Sequence, residues 1–265
     1  MSDRIRQELS YFFSGLSFYT RIPCPTWVKY SAENLNKSRK YLALIGLLIG
    51  AVAASTFYLM HLLLPASVSI ILSMGITVYM TGAFHEDGLA DCADGFGGGW
   101  EKAQILSIMK DSRLGTYGAM SLIIIVSLKF IVLWELQQVS ITLMMLALVV
   151  GHSASRLMAS FTMQFYDYVS AASTSKSKSV TSLKLSNLEM LWSVLPLAAV
   201  LIAIAPLKFT LAIPLLVAFT WVLGGAYKRR IGGYTGDCLG ATQQLTEVFF
   251  YLIVAAKLIL FESII

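Results

Sequence analysis

YLALIGLLIGAVAASTFYLMHLLL, residues Tyr41–Leu64, contains no Lys, Arg, Asp or Glu and is long enough to cross a bilayer as one helix. Comparable apolar runs lie at Ala66–Phe84, Thr116–Trp134, Val139–Phe161, Met190–Ala205, Phe209–Tyr227 and Leu245–Ile264. The expected fold is therefore an all-α polytopic integral membrane protein with about seven transmembrane helices. Composition agrees. Hydrophobic residues make up 57% of the 265-residue chain and charged residues 13%, against roughly 25% charged in an ordinary soluble domain. So few charges could not shield that much apolar surface from water. The chain reads as one integral membrane domain, 1–265, in which residues 1–40 form a cytoplasmic or interfacial N-terminal segment.

Charge sets the orientation. Sixteen of the 20 Lys and Arg fall in residues 1–40 and in the long connections 85–115, 162–189 and 228–244, while the short connections hold only Lys208. The positive-inside bias predicts that the N-terminus and every long loop face the cytoplasm, and seven spans then place the C-terminus outside. The net charge of +5 is explained by this topology and by attraction to anionic lipid, without nucleic acid. Lys129 and Lys257, near the outer ends of spans, are expected to snorkel. Arg4 and Arg6 precede a partly polar stretch with no A-x-A site, which predicts a retained interfacial helix. The three cysteines, Cys24, Cys92 and Cys238, lack metal or redox spacing and read as free thiols in a reducing compartment. Ala171–Ser186, rich in Ser, Thr and Lys, reads as a loop.

Three polar motifs interrupt the apolar pattern, all on the predicted cytoplasmic side. In FHEDGLADCADG, residues 84–95, Asp87, Asp91 and Asp94 are spaced i, i+4, i+7 and share about 60° of a helix face. Stacked carboxylates repel unless a cation lies between them, and oxygen-only ligands favour Mg²⁺ or Mn²⁺. The following GFGGG resembles a dinucleotide fingerprint only superficially, since no strand precedes it. In KDSRLGTYG, residues 110–118, Lys110 and Arg113 flank Asp111 and suit a phosphate clamp, Arg as a fork and Lys as a point charge. Arg156, four residues after His152, adds a cation at the same membrane face. In GGYTGDCLGA, residues 232–241, a glycine-rich turn around Gly236 offers backbone amides, and Asp237, Gln244 and Glu247 lie roughly on one face.

The order of these motifs, with SFYTRIP at residues 17–23, resembles the cobalamin synthase family over nearly the whole chain. The resemblance implies a bacterial inner-membrane, Mg²⁺-dependent transferase with cytoplasmic catalytic loops. Its substrates would be adenosylcobinamide-GDP and α-ribazole or α-ribazole 5′-phosphate, giving adenosylcobalamin or its phosphate and GMP. Asp87, Asp91, Asp94, Lys110, Asp111, Arg113 and Asp237 occupy the family's motif positions, whereas positions 86 and 244 vary. The implied roles are Mg²⁺ ligation by Asp87, Asp91 and Asp94, and catalysis by Asp94, Lys110, Arg113 and Asp237. Asp111, Arg156, Gly236, Gln244 and Glu247 would bind substrate, and Asp94 would also orient or deprotonate the attacking hydroxyl. The lipid bilayer is an expected partner, and a homo-oligomer remains open.

Two rival classes fit less well. A CDP-alcohol headgroup transferase also uses clustered Asp residues, but its pattern places an Ala-Arg pair soon after the first Asp-Gly, and no Arg closely follows Gly88 or Gly95. A cation transporter would carry carboxylates at mid-membrane depth in several spans, whereas here they gather at the cytoplasmic ends.

Overall fold

The computed structural model describes residues 3–29, 31–169 and 184–256, and these fold into helices. The stretch 170–183 and residues 257–265 lie outside this description. With them go most of the Ser/Thr/Lys-rich loop, the end of the last apolar run, and Lys257.

Helix α1 (Asp3–Tyr19) packs on the short α2 (Ala32–Ser38), whose start is fixed by the Ser31 hydroxyl accepting from the Asn34 amide at 3.0 Å. A 3₁₀ turn at Arg39–Tyr41 leads into α3 (Leu42–His61). Helix α4 (Ala66–Thr81) ends where Gly82 and Ala83 adopt φ values of 68° and 58°. These two left-handed residues turn the chain by 86° into α5 (Phe84–Gly98), so α5 runs across the end of the bundle rather than through it. Then follow α6 (Lys102–Ile108), α7 (Thr116–Val139), α8 (Ile141–Phe165), α9 (Asn187–Ala203), α10 (Leu207–Ile231) and α11 (Gly236–Ala255).

Among the described residues each of the seven apolar runs contributes a helix, but not seven full spans. Five (α3, α7, α8, α10 and α11) are long and apolar enough to cross a membrane. Helix α4 has 16 residues and qualifies only when joined to the bent α5; α9 has 17. At 1.5 Å per residue either gives about 25 Å, short of the roughly 30 Å hydrocarbon core. The count of seven is thus approximate, because two runs are cut short, one by the turn at Gly82 and the other before Pro206.

Helices α8 and α11 form the centre. Every residue from Val150 to Ser160 is buried, whereas α7 and α10 expose Ile123, Ile124, Trp221 and Val222 as a lipid-facing layer would. Helix α3 meets α8 through Gly46 and Gly50: a Cβ on Gly46 would lie 2.4 Å from the His152 carbonyl oxygen. Small residues four apart let two backbones touch where lipid offers no hydrophobic driving force.

Contacts between helix ends show how the chain is threaded. Lys37, just before α3, pairs with Glu189 at the start of α9 at 2.7 Å. Arg39 donates to Gln164 near the end of α8, and Arg230 at the end of α10 donates to the Gly99 carbonyl at 2.7 Å. The starts of α7 and α11 meet α5. All three polar motifs therefore share one end of the bundle, as the alternation of long and short connections predicts.

Candidate active site

The site is built where α5 crosses α11. A side chain on Gly88 would meet the Asp237 carbonyl oxygen at 3.0 Å and the Gly240 Cα at 3.2 Å. With no Cβ on either glycine, the helices close until Asp87, Asp91 and Asp237 share one field. Burial, followed by repulsion from Asp87, Asp237 and Asp94, pushes the Asp91 carboxyl up to about 6. Asp237 also accepts from the Thr235 hydroxyl at 3.2 Å. This is a confluence of hard oxygen donors that a cation would relieve, and in chemistry it suits Mg²⁺. Among the described residues, no three His, Cys, Asp or Glu side chains converge closely enough to hold an ion by themselves. An ion here would need waters or substrate oxygens to complete its shell, which is how Mg²⁺ is usually bound.

Asp94 is on the same face and differently occupied. Its oxygens accept from the Gly115 amide at 2.7 Å and the Gly118 amide at 2.8 Å. It thus caps α7 from another helix, meeting orphan donors that every helix start leaves. A Cβ on Gly115 or Gly118 would come within 2.4 Å of this carboxylate, so the two glycines admit it. The first two motifs are joined by this contact.

Lys110, Asp111 and Arg113 stand apart from the acidic cluster. Lys110 and Arg113 are exposed, and Arg113 forks onto Asp111, Nη2 to Oδ2 at 2.6 Å. That fork and the Arg113 backbone amide draw the Asp111 carboxyl down to about 2. Arg230 holds the C-terminal carbonyls of α5 and lies over the Phe96 ring.

Behind the crossing runs a polar chain that composition and spacing did not reveal. Gln244 donates to Glu86 at 3.0 Å and to Gln243 at 2.9 Å, and Gln243 donates to Glu247 at 2.5 Å. Glu247 is fully buried, ion-paired to Lys129, 3.1 Å from His152 Nδ1, and accepts from the Tyr251 hydroxyl at 3.0 Å. Arg156 donates to the His152 carbonyl at 3.1 Å. Lys129 therefore does not snorkel. It turns inward because Glu247, on a facing helix, offers a countercharge that lipid cannot. Opposite charges in two apolar runs were the available signal, since an intramembrane ion needs a partner. Of the residues expected to bind substrate, Glu247 is sealed in the bundle and Gln244 links it to Glu86. Arg156 and Gly236 instead line a cavity of about 190 Å³ between α5, α8, α11 and the N-terminal helices, together with His85 and Arg39.

A family model described as cobalamin-5-phosphate synthase matches residues 11–255. The chain belongs to the cobalamin-5-phosphate synthase family. Among its relatives are proteins named adenosylcobinamide-GDP ribazoletransferase. That of Shewanella woodyi is 48% identical over 94% of this chain and 96% of its own length, and that of Shewanella frigidimarina 46% over 97% and 98%. The Vibrio parahaemolyticus protein of the same name is 40% identical over 95% and 94%. No solved structure matches the chain. The family assignment covers α1 to α11 almost entirely, so the acidic crossing, the Asp94 cap and the cavity all lie within the matched region.

Proposed function

We infer that this chain is an adenosylcobinamide-GDP ribazoletransferase: it joins adenosylcobinamide-GDP to α-ribazole or its 5′-phosphate and releases GMP. The full-length kinship to relatives of that name carries the reading, and the geometry suits the chemistry. An alcohol attacks one phosphorus of a diphosphate while a nucleoside monophosphate leaves, so catalysis is mostly positioning and charge stabilisation.

Asp87 and Asp91, with water and diphosphate oxygens completing the shell, would hold Mg²⁺, which would neutralise the diphosphate. Asp94, with its oxygens committed to the α7 amides, positions the entrance of α7 against α5. The attacking hydroxyl falls to Asp237, half-buried at the crossing. Lys110 and Arg113, on the exposed loop before α7, would close on the phosphates, with Arg113 exchanging Asp111 for them. Arg156, held by His152, keeps a cation at the cavity wall. The clustering of basic residues at the site end supports a cytoplasmic site in the bacterial inner membrane.

The test is GMP release by the purified protein supplied with adenosylcobinamide-GDP and α-ribazole 5′-phosphate, with Mg²⁺ and with excess EDTA. Turnover requiring both substrates is expected, and EDTA should abolish it. Undiminished activity in EDTA would remove the metal from the mechanism and leave the transferase reading standing.

A further inference from the structure

The cavity beside the crossing is enclosed mostly by apolar and aromatic side chains, among them Phe18, Tyr19, Leu42 and Met163. Its polar wall is unusual. Asn36 is 4% exposed, yet neither its amide nitrogen nor its carbonyl oxygen has a hydrogen-bond partner. Arg156 is 2% exposed and its Nε is likewise unpartnered. Buried polar atoms are almost always paired, so two such groups on one cavity wall point to a missing ligand. Gly236 and Gly240 bring the first turn of α11 to the same wall without side chains.

Size excludes most of the substrate. The cavity volume is about 190 Å³. It falls below the ~300–1,000 Å³ of pockets that engulf drug-sized molecules. A bicyclic base fits and a corrinoid ring does not.

Two bases take part in the reaction. Guanine presents an N1–H and an exocyclic amine that need acceptors, whereas the charged groups on this wall, the Arg39 and Arg156 guanidinium groups, only donate. The dimethylbenzimidazole of α-ribazole presents methyl groups and a single free ring nitrogen, an acceptor. A donor-rich set of polar groups, with the unpaired Asn36 carboxamide among them, in an otherwise apolar wall matches that pattern. We propose that the cavity seats the base of the ribazole co-substrate, with Asn36 donating to its ring nitrogen and Arg156 serving its phosphate. The proposal rests on the ribazoletransferase reading and names which part of which substrate the cavity takes. The turns that wall the cavity also carry Asp87 and Asp237, so a base held there keeps its ribose near the acidic cluster.

The experiment uses the full chain in lipid nanodiscs, titrated calorimetrically with α-ribazole 5′-phosphate, with its analogue lacking both methyl groups, and with GMP. In the parent, the demethylated analogue should bind at least tenfold more weakly, since each apolar carbon in such a pocket is worth roughly ten- to two-hundredfold. Asn36→Leu should weaken α-ribazole 5′-phosphate about tenfold and raise the melting temperature of the ligand-free protein, because it removes an unpaired carboxamide. Ala159→Phe, which fills the cavity, should abolish that binding. GMP affinity should stay within twofold in both variants. Unchanged ribazole binding in Asn36→Leu overturns the proposal. So does a loss of GMP binding instead, which would give the cavity to guanine, or a joint loss of both ligands in both variants. Parent turnover is measured first: its absence sinks the transferase reading itself, whereas turnover with unaffected variants sinks only the cavity assignment.

Discussion

Asp94 lies three residues from Asp91, yet it accepts two backbone hydrogen bonds while Asp91 confronts three other carboxylates. Neutralising them should therefore move stability in opposite directions. Asp94→Asn sets an amide N–H against a backbone N–H and should cost about 2–3 kcal/mol, lowering the melting temperature along with activity. Asp91→Asn should stabilise. The folded-state value of about 6 exceeds the unfolded value of about 4, so the parent is penalised as pH rises through that window. Because the group is only partly buried, the shift is discounted for solvent screening to about 1 kcal/mol, or roughly 2–4 °C. In EDTA, the Asp91→Asn advantage should be full above pH 6 and absent near pH 4; an advantage that grows on acidification contradicts it. Arg113 poses a sharper question because its partner Asp111 is on an exposed loop. Arg113→Lys keeps the charge and loses the fork, so kcat/KM for the GDP-linked substrate should fall about ten- to a hundredfold. A value within twofold of the parent would reduce Lys110 and Arg113 to topology signals.

At the scale of elements, the crossing of α5 and α11 depends on Gly88 and Gly240. Gly88→Val would drive a side chain into the Asp237 backbone, separating Asp87 and Asp91 from Asp237. Turnover should fall at least about a hundredfold while circular dichroism still reports a helical protein; near-parental turnover would show that the aspartates do not act together. The seven apolar runs and the shared face of three aspartates were legible because hydropathy and the 3.6-residue period are local properties of sequence. The α4–α5 turn was not legible. It depends on a left-handed Ala83, where a non-glycine residue is strained. The cap by Asp94 was hidden for another reason: its donors lie 21 and 24 residues away, and spacing alone suggested only a metal face. The Lys129–Glu247 pair joins helices distant in sequence, so each charge taken alone looked like snorkelling or a substrate contact.

For the whole molecule, threading and charge lead to one arrangement, in which the ends of α8 and α10 and the starts of α3, α7, α9 and α11 share one end of the bundle with α5. The cysteines offer a test without engineered reporters, because Cys92 and Cys238 are buried and Cys24 is exposed. Cys24 follows Arg21, whose amide donates to the Met80 carbonyl at 2.7 Å near the end of α4, so it belongs to the same end as the site. If the basic residues there face the cytoplasm, a membrane-impermeant maleimide should label Cys24 in inside-out vesicles and leave it unlabelled in right-side-out vesicles. Cys24→Ser should abolish that labelling with activity unchanged, since its side chain belongs to neither the acidic cluster nor the cavity wall. Labelling confined to right-side-out vesicles would put the acidic crossing, the cavity and the Arg113 loop on the outer face together, because the helix-end contacts hold them at one end.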